Sequence, residues 1–265
     1  MSAVSAVSAV TSYPAFRVVE REIQVFLRLW RATVFSSFVT PLLFLAAMGL
    51  GLGGLVNQHG HVQGLNYLSF VAPGLMAATA MQIGAGESLW PVLGGVKWDR
   101  RSHAMVGTPL APSDVYEGFL LWVALRTTAS ALAFLVVASA LGGVGSPWAV
   151  LAVPATVLGA LAFAAPLGAF AVSQDSDQAF PVIMRLGVIP LFLFSGTFFP
   201  ISQLPGWLEP LAQVSPLYHA VELSRSATTG TTHWMADVVH IAVLVGCVAA
   251  GTWWGRRAFY RRLSP

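Results

Sequence analysis

The chain has 265 residues, of which 56% are apolar and 9% charged, with a formal net charge of +3. A soluble domain carries about 25% charged residues, so this composition excludes an ordinary soluble domain and predicts an all-α integral membrane protein. The basic residues sit beside apolar runs, where they orient spans and make no case for nucleic acid. A lone cysteine, Cys247, excludes an intrachain disulfide and a multi-cysteine metal site.

The chain opens on a threefold Ser-Ala-Val repeat that lacks the basic region of a secretory signal. Residues 1–13 are expected to form a disordered cytoplasmic tail. Residues 14–31 are amphipathic. Phe16, Val19, Ile23, Phe26, Leu27 and Trp30 share one helical face, while Arg17, Glu20, Arg21, Gln24, Arg28 and Arg31 share the other. This pattern predicts a helix lying on the cytoplasmic interface with its arginines at the headgroups.

The first span is expected over 33–55. Its Gly49–Gly54 stretch formally matches GxGxxG, but no βαβ unit surrounds it. Gly49 and Gly53 read better as a GxxxG helix-packing face. The loop 56–65 lacks Lys and Arg and is therefore external; its His59 and His61 have no third metal ligand. A second span over 66–90 carries Glu87 near its inner end. The loop 96–112 holds Lys97, Asp99, Arg100 and Arg101, so it is cytoplasmic. It is longer than a turn needs, and Thr108, Pro109 and Leu110 close it before Asp114, the expected N-cap of the third span.

That third span, 114–141, places Arg126 roughly 18 Å along its helix, near mid-membrane. An arginine there costs about 2.5–3.5 kcal/mol on insertion scales unless paired or hydrated. Glu87 is the candidate partner; Glu117, on the same helix, is too distant for direct contact. Snorkelling or a carbonyl partner are the alternatives. The fourth span is expected over 148–172. The turn after it holds Asp175 and Asp177, a DxD pattern in a loop too short for a nucleotide-sugar pocket. The fifth span, 181–199, includes Pro190 as a kink, and the sixth covers 236–255. A basic cytoplasmic tail, 258–265, closes the chain. This gives six spans with both termini cytoplasmic: eleven of the fourteen Lys and Arg lie in the first helix, the 96–112 loop or the C-terminal arginines.

Between the fifth and sixth spans, Pro200, Pro205, Pro210 and Pro216 forbid a straight helix. Two short helices are expected, around 203–213 and 216–228, at or dipping into the outer interface. Irregular backbone at that depth is tolerated only in protein or beside water. Ser195-Gly196-Thr197-Phe198-Phe199-Pro200, then Leu204-Pro205, then Ser215-Pro216-Leu217-Tyr218-His219 resembles the signature of type-2 ABC export permeases, in particular the nodulation-factor and daunorubicin exporter group. The resemblance covers residues 14–257.

It implies an ATP-driven exporter of a drug-like, glycolipid or polysaccharide amphiphile in the cytoplasmic (inner) membrane. ATP and Mg would be bound by a separate ABC ATPase subunit in two copies, with no cofactor on this chain. A second permease copy, identical or a sister, would complete the bundle among membrane lipids. The resemblance makes Lys97, Asp99, Arg100, Arg101, Thr108, Pro109 and Leu110 the ATPase-coupling loop. It makes the 14–31 segment, with Arg17, Arg21, Arg28 and Trp30, the connecting helix. Ser195, Gly196, Pro200, Pro205, Pro216 and Tyr218 form the outer signature, and Glu87 and Arg126 are the intramembrane polar residues.

The sequence holds no GxxxxGK[ST] loop, HExxH or GxSxG elbow. The competing classes are a membrane enzyme acting on lipid-linked sugars and a proton-coupled secondary transporter. The first needs convergent acids, yet Asp175 and Asp177 are placed inside and Glu209 and Glu222 outside. The second needs acids near mid-membrane. No cluster of carboxylates and histidines is expected at one depth; His219 and Glu222, one turn apart, read as packing and capping residues.

Overall fold

A computed structural model of the chain describes residues 13–34, 40–58 and 62–264. The repeat at 1–12, His59, His61 and the Trp30 side chain lie outside the described residues. Every regular element described is helical. Helix α1 (Ala15–Val34) is followed by α2 (Thr40–Ala46), a π-helical stretch (Ala47–Leu52) and α3 (Gly53–Gln58). Helices α4 (Tyr67–Ser88) and α5 (Trp90–Lys97) follow one path, bent at Leu89 ahead of Pro91. A short α6 (Arg101–Val106) precedes α7 (Pro112–Ala140). A 3-10 turn (Pro147–Leu151) opens α8 (Ala152–Val172). Then come α9 (Phe180–Val182), a π-helical stretch (Ile183–Val188) and α10 (Ile189–Phe194). Helices α11 (Glu209–Val214), α12 (Pro216–Thr229) and α13 (Trp234–Leu263) complete the chain.

Among the described residues, four helical stretches are long and apolar enough to cross a membrane: Tyr67–Lys97, Pro112–Ala140, Pro147–Val172 and Trp234–Leu263. The first and fifth expected spans are shorter apolar segments, Leu43–Val56 and Phe180–Phe194. The fifth stops at Phe194 instead of 199 because the chain turns at Ser195–Gly196, with Gly196 at φ +80°, a conformation that favours glycine. Gly49 and Gly53 pack toward Leu68 and Tyr67 of α4.

Helix α4 is the centre of the bundle, packed by α7, α8 and α12 and buried on nearly all sides. Its run of Ala and Gly lets neighbouring backbones approach, the usual basis of helix association in lipid. A Cβ on Gly84 would stand 2.5 Å from the Ala160 carbonyl oxygen of α8. Gly84→Ala is therefore expected to force the two helices apart at a cost of about 1–3 kcal/mol, measured as a lower thermal midpoint in detergent. A Gly86→Ala control, with open space around it, is expected to be neutral.

Contacts fix the two ends of the bundle. At one end, the basic end, Lys97 donates to the Asp175 carbonyl, Arg262 pairs with Asp175 at 2.6 Å, and Trp90 Nε1 donates to Asp177 at 3.2 Å. At the opposite end, the Gly145 amide donates to the Thr228 carbonyl and Arg225 reaches the carbonyls of Gly196 and Phe70.

Three sequence expectations are corrected here. Asp114 is not the N-cap of α7: the cap is Ala111, and the Asp114 carboxylate accepts from the Ala111 amide at 2.9 Å. Lys97 ends helix α5 rather than lying in a loop. The residues after 257 are no free tail: α13 continues to Leu263, with Ala258, Phe259 and Leu263 buried against Tyr116, Val172 and Phe180.

Candidate functional site

The basic end presents the 98–111 segment. Trp98 is 57% exposed, and Asp99, Arg100, His103, Thr108 and Pro109 are exposed with it. Arg100 takes the left-handed conformation (φ +51°) that turns the chain into α6. Arg101 points inward and donates to the Pro91 carbonyl, tying α6 to α5. The Thr108 hydroxyl donates to the Met105 carbonyl, and Leu110 is half-buried. The expected loop residues thus split: Arg100, Asp99, Thr108 and Pro109 face outward, whereas Lys97 and Arg101 hold the segment in place.

Helix α1 lies beside this segment, packed along α7. Ala15, Val18 and Val19 are buried there, while Ile23 and Leu27 remain exposed. Its apolar face therefore divides between the protein and the exterior. Arg17 pairs with Glu20 at 3.1 Å, Arg21 pairs with Glu22, and Arg28 is exposed. The Tyr13 hydroxyl donates to Glu117, which also pairs with Arg256 at 2.6 Å, so the start of α1, the start of α7 and the end of α13 meet at one carboxylate. Glu117 holds the Tyr13 phenol above its usual range, first by accepting its hydrogen bond and then by its charge. The Asp175 carboxyl is held below its usual range, chiefly by the hydrogen bond and charge of Arg262 and then by Lys97.

Farther along, Arg126 of α7 forms an ion pair with Glu87 of α4. Trp122 Nε1 donates to the second Glu87 oxygen at 3.0 Å. Glu87 also lines a cavity of about 50 Å³ with Glu22, Arg101, Ser102 and Met105. Ile23, Phe26 and Leu27 of α1 form, with Trp122, Leu125 and Arg126 of α7, an apolar groove of about 290 Å³.

At the opposite end, the proline-rich segment folds against the bundle. The Ser215 hydroxyl caps α12 by accepting from the Leu217 amide at 3.2 Å, and Ser195 donates to it at 3.4 Å. Pro200 is buried, Pro205 is exposed, and Pro216 opens α12 where a missing N–H costs nothing. Tyr218 stacks edge-on to both His219 and His240. Burial, and then His240, hold the His219 imidazole below the usual histidine range.

This end contains what the sequence reading missed. Arg225, 5% exposed, donates to the Gly196 carbonyl at 2.7 Å and the Phe70 carbonyl at 3.4 Å. It pairs with Glu222 and lies 4.0 Å over the Phe70 ring. His219 and His240 are hydrogen-bonded Nδ1 to Nδ1 at 2.7 Å, and Ser226 donates to Asp237 at 3.1 Å. Carboxylates and histidines therefore do gather at one depth, against the expectation, because α13 brings His240 and Asp237 beside α12. The available signal was Arg225 itself, a basic residue outside the three basic clusters. Among the described residues, no group of three or more His, Cys, Asp or Glu could hold a metal ion.

A bundle of long apolar helices, tied by internal ion pairs and bearing a presented basic segment and a broken polar-cored one, defines a multi-pass membrane protein. Residues 15–228 match the ABC-2 type transporter family, and the chain belongs to that family. It is 31% identical over 214 residues to Nodulation protein J of Rhizobium leguminosarum bv. trifolii, covering 80% of each chain. It is 27% identical over 217 residues to Nodulation protein J of Rhizobium meliloti (strain 1021), covering 82% of this chain and 80% of that protein. The Inner membrane transport permease YadH of Escherichia coli (strain K12) is 22% identical over 219 residues, covering 79% of this chain and 80% of that one. The chain is thus similar to transport permeases.

Proposed function

We propose that the chain is the membrane subunit of an ATP-driven exporter, moving a drug-like, glycolipid or polysaccharide amphiphile out of the cytoplasm or inner leaflet of the inner membrane. The reading has six crossings, with the segments Leu43–Val56 and Phe180–Phe194 completing the four long spans, and both termini cytoplasmic. A separate ATPase subunit, in two copies, binds ATP and Mg and docks on the 98–111 segment and α1. A second permease copy, identical or a sister, pairs with this one.

The carrying observation is the path of α4 and α5. These helices run from the presented 98–111 segment to the broken segment at the opposite end, about 45 Å for 31 residues. Arg101 ties α6 to α5 at one end, and the Phe70 carbonyl accepts from Arg225 at the other. A push on α6 is thereby transmitted along one buried helix to the outer segment. The absence of a GxxxxGK[ST] loop from the sequence fits a separate ATPase.

The test is co-purification from native membranes. Arg100→Glu reverses an exposed charge and is expected to reduce the recovered ATPase subunit about tenfold, the effect of roughly 1.4 kcal/mol at an interface, with the permease itself still monodisperse. Arg101→Glu is a poorer probe because it also breaks the Pro91 tie. Recovery of the chain alone, active without any ATPase, overturns the reading.

A further inference from the structure

We propose that His219 and His240 form a proton-released latch that fastens the broken segment to the last long helix. His219 lies in the first turns of α12 and His240 in the second turn of α13, and their Nδ1 atoms stand 2.7 Å apart. Such a bond needs a proton on one nitrogen and a lone pair on the other. One added proton can go to the far nitrogen of the donor ring, and the bond survives, strengthened by charge. A second must occupy the accepting Nδ1. Two N–H donors and two positive charges then face each other at this distance, and the latch opens. The two rings titrate as one unit.

The surroundings set where this happens. On α12, Glu222 is paired with Arg225, and Tyr218 packs on both rings. On α13, Asp237 accepts from Ser226. Helix α11 brings Glu209, and α4 brings Tyr67 at this end. Helix α8 carries no ionisable side chain. The ionisable residues of α7 and the α6 residues Arg101 and His103 belong to its other half. Glu222 and Asp237, the acids nearest the pair, are engaged by Arg225 and Ser226, and burial of the two rings opposes a second charge. Burial and His240 hold His219 below its ordinary value, so the closed latch is fully present above the usual histidine range near 6.5; because the first proton leaves the bond in place, it is lost as pH falls further and the pair takes its second proton. Two ligands alone, with nitrogens this close, do not make a tetrahedral metal site; a proton is the ligand this pair takes. The latch needs neither ATPase nor substrate, so it stands or falls apart from the export reading.

The experiment is amide hydrogen exchange on the full chain in lipid nanodiscs from about pH 8 to about pH 5, corrected for the pH dependence of intrinsic exchange. Exchange over 209–229 is expected to rise about tenfold on acidification, the weight of one lost hydrogen bond, with 256–263 unchanged. In His240→Gln, which keeps an acceptor that does not titrate, the rise is expected to vanish. No rise in the wild type, an equal rise in the variant, or a rise throughout the chain each overturns the latch. Should the variant not fold, side-chain nitrogen spectra of the wild-type histidines decide: a shared Nδ1 hydrogen bond that disappears as the pair takes its second proton supports it, and two independent titrations sink it.

Discussion

Arg225→Ala is expected to cost about 3–5 kcal/mol of folding stability, the usual result of breaking a buried ion pair from one side. The guanidinium joins three parts of the chain: it takes the Gly196 carbonyl from the turn after α10, the Phe70 carbonyl from α4, and Glu222 from its own helix. Alanine leaves a carboxylate and two carbonyls without their donor and removes the guanidinium from over the Phe70 ring. Arg225→Lys keeps the charge but not the planar fork, which serves several acceptors at once; its expected cost is about 1.5–3 kcal/mol. The Arg225→Ala, Glu222→Ala pair is expected to be less harmful than the sum of its parts, because the orphaned carboxylate is gone. Thermal unfolding in detergent, followed by the monodisperse fraction, gives the ranking. An Arg225→Met protein as stable as wild type would falsify the view that the donors, and not the stem, hold the outer segment.

The difference between what was legible and what was not follows from the range of the interactions. Apolar runs report the spans directly, since each must match the bilayer by itself; the α4, α7 and α8 regions were found within a few residues, whereas α13 continues to Leu263, past the expected end at 255. The proline spacing likewise announced the broken segment and its two short helices. The depth of Glu87 was misjudged because the second span was expected to end at 90. The helix instead bends at Leu89 and continues to Lys97, about 15 Å beyond Glu87, which carries the carboxylate inward to the level of Arg126. Nothing local signals that continuation, because Pro91 at the start of α5 reads equally well as a stop. The pairing of His219 with His240, or of Asp175 with Arg262, depends on residues distant in sequence meeting through the packing of whole helices. Single-sequence periodicity carries no such information. The C-terminal arginines read as a tail because their charges are obvious, whereas the buried stripe of Ala258, Phe259 and Leu263 between them is not.

Glu87 and Arg126 offer a sharper test of how this bundle tolerates charge. Each side chain is about one-fifth exposed, at 19% and 20%, so each depends on the other. Glu87→Ala removes the carboxylate that pairs with Arg126 in the middle of α7, and Arg126→Ala removes the cation that pairs with Glu87, which keeps the Trp122 N–H; each is expected to cost about 3–5 kcal/mol. The double Glu87→Met, Arg126→Met protein removes both charges and fills both volumes, and it is expected to fall within about 1 kcal/mol of wild type. A double-mutant cycle built from Glu87→Met, Arg126→Met and the double variant measures the pair, each single being expected to cost more than the double. Charge reversal, Glu87→Arg with Arg126→Glu, separates attraction from geometry. Coulomb energy alone predicts rescue. The structure predicts failure, because the Trp122 indole can only donate and would face a guanidinium that can only donate as well. Apolar replacement succeeding where reversal fails places the constraint in the hydrogen-bond directions around Glu87 rather than in the sign of the charges.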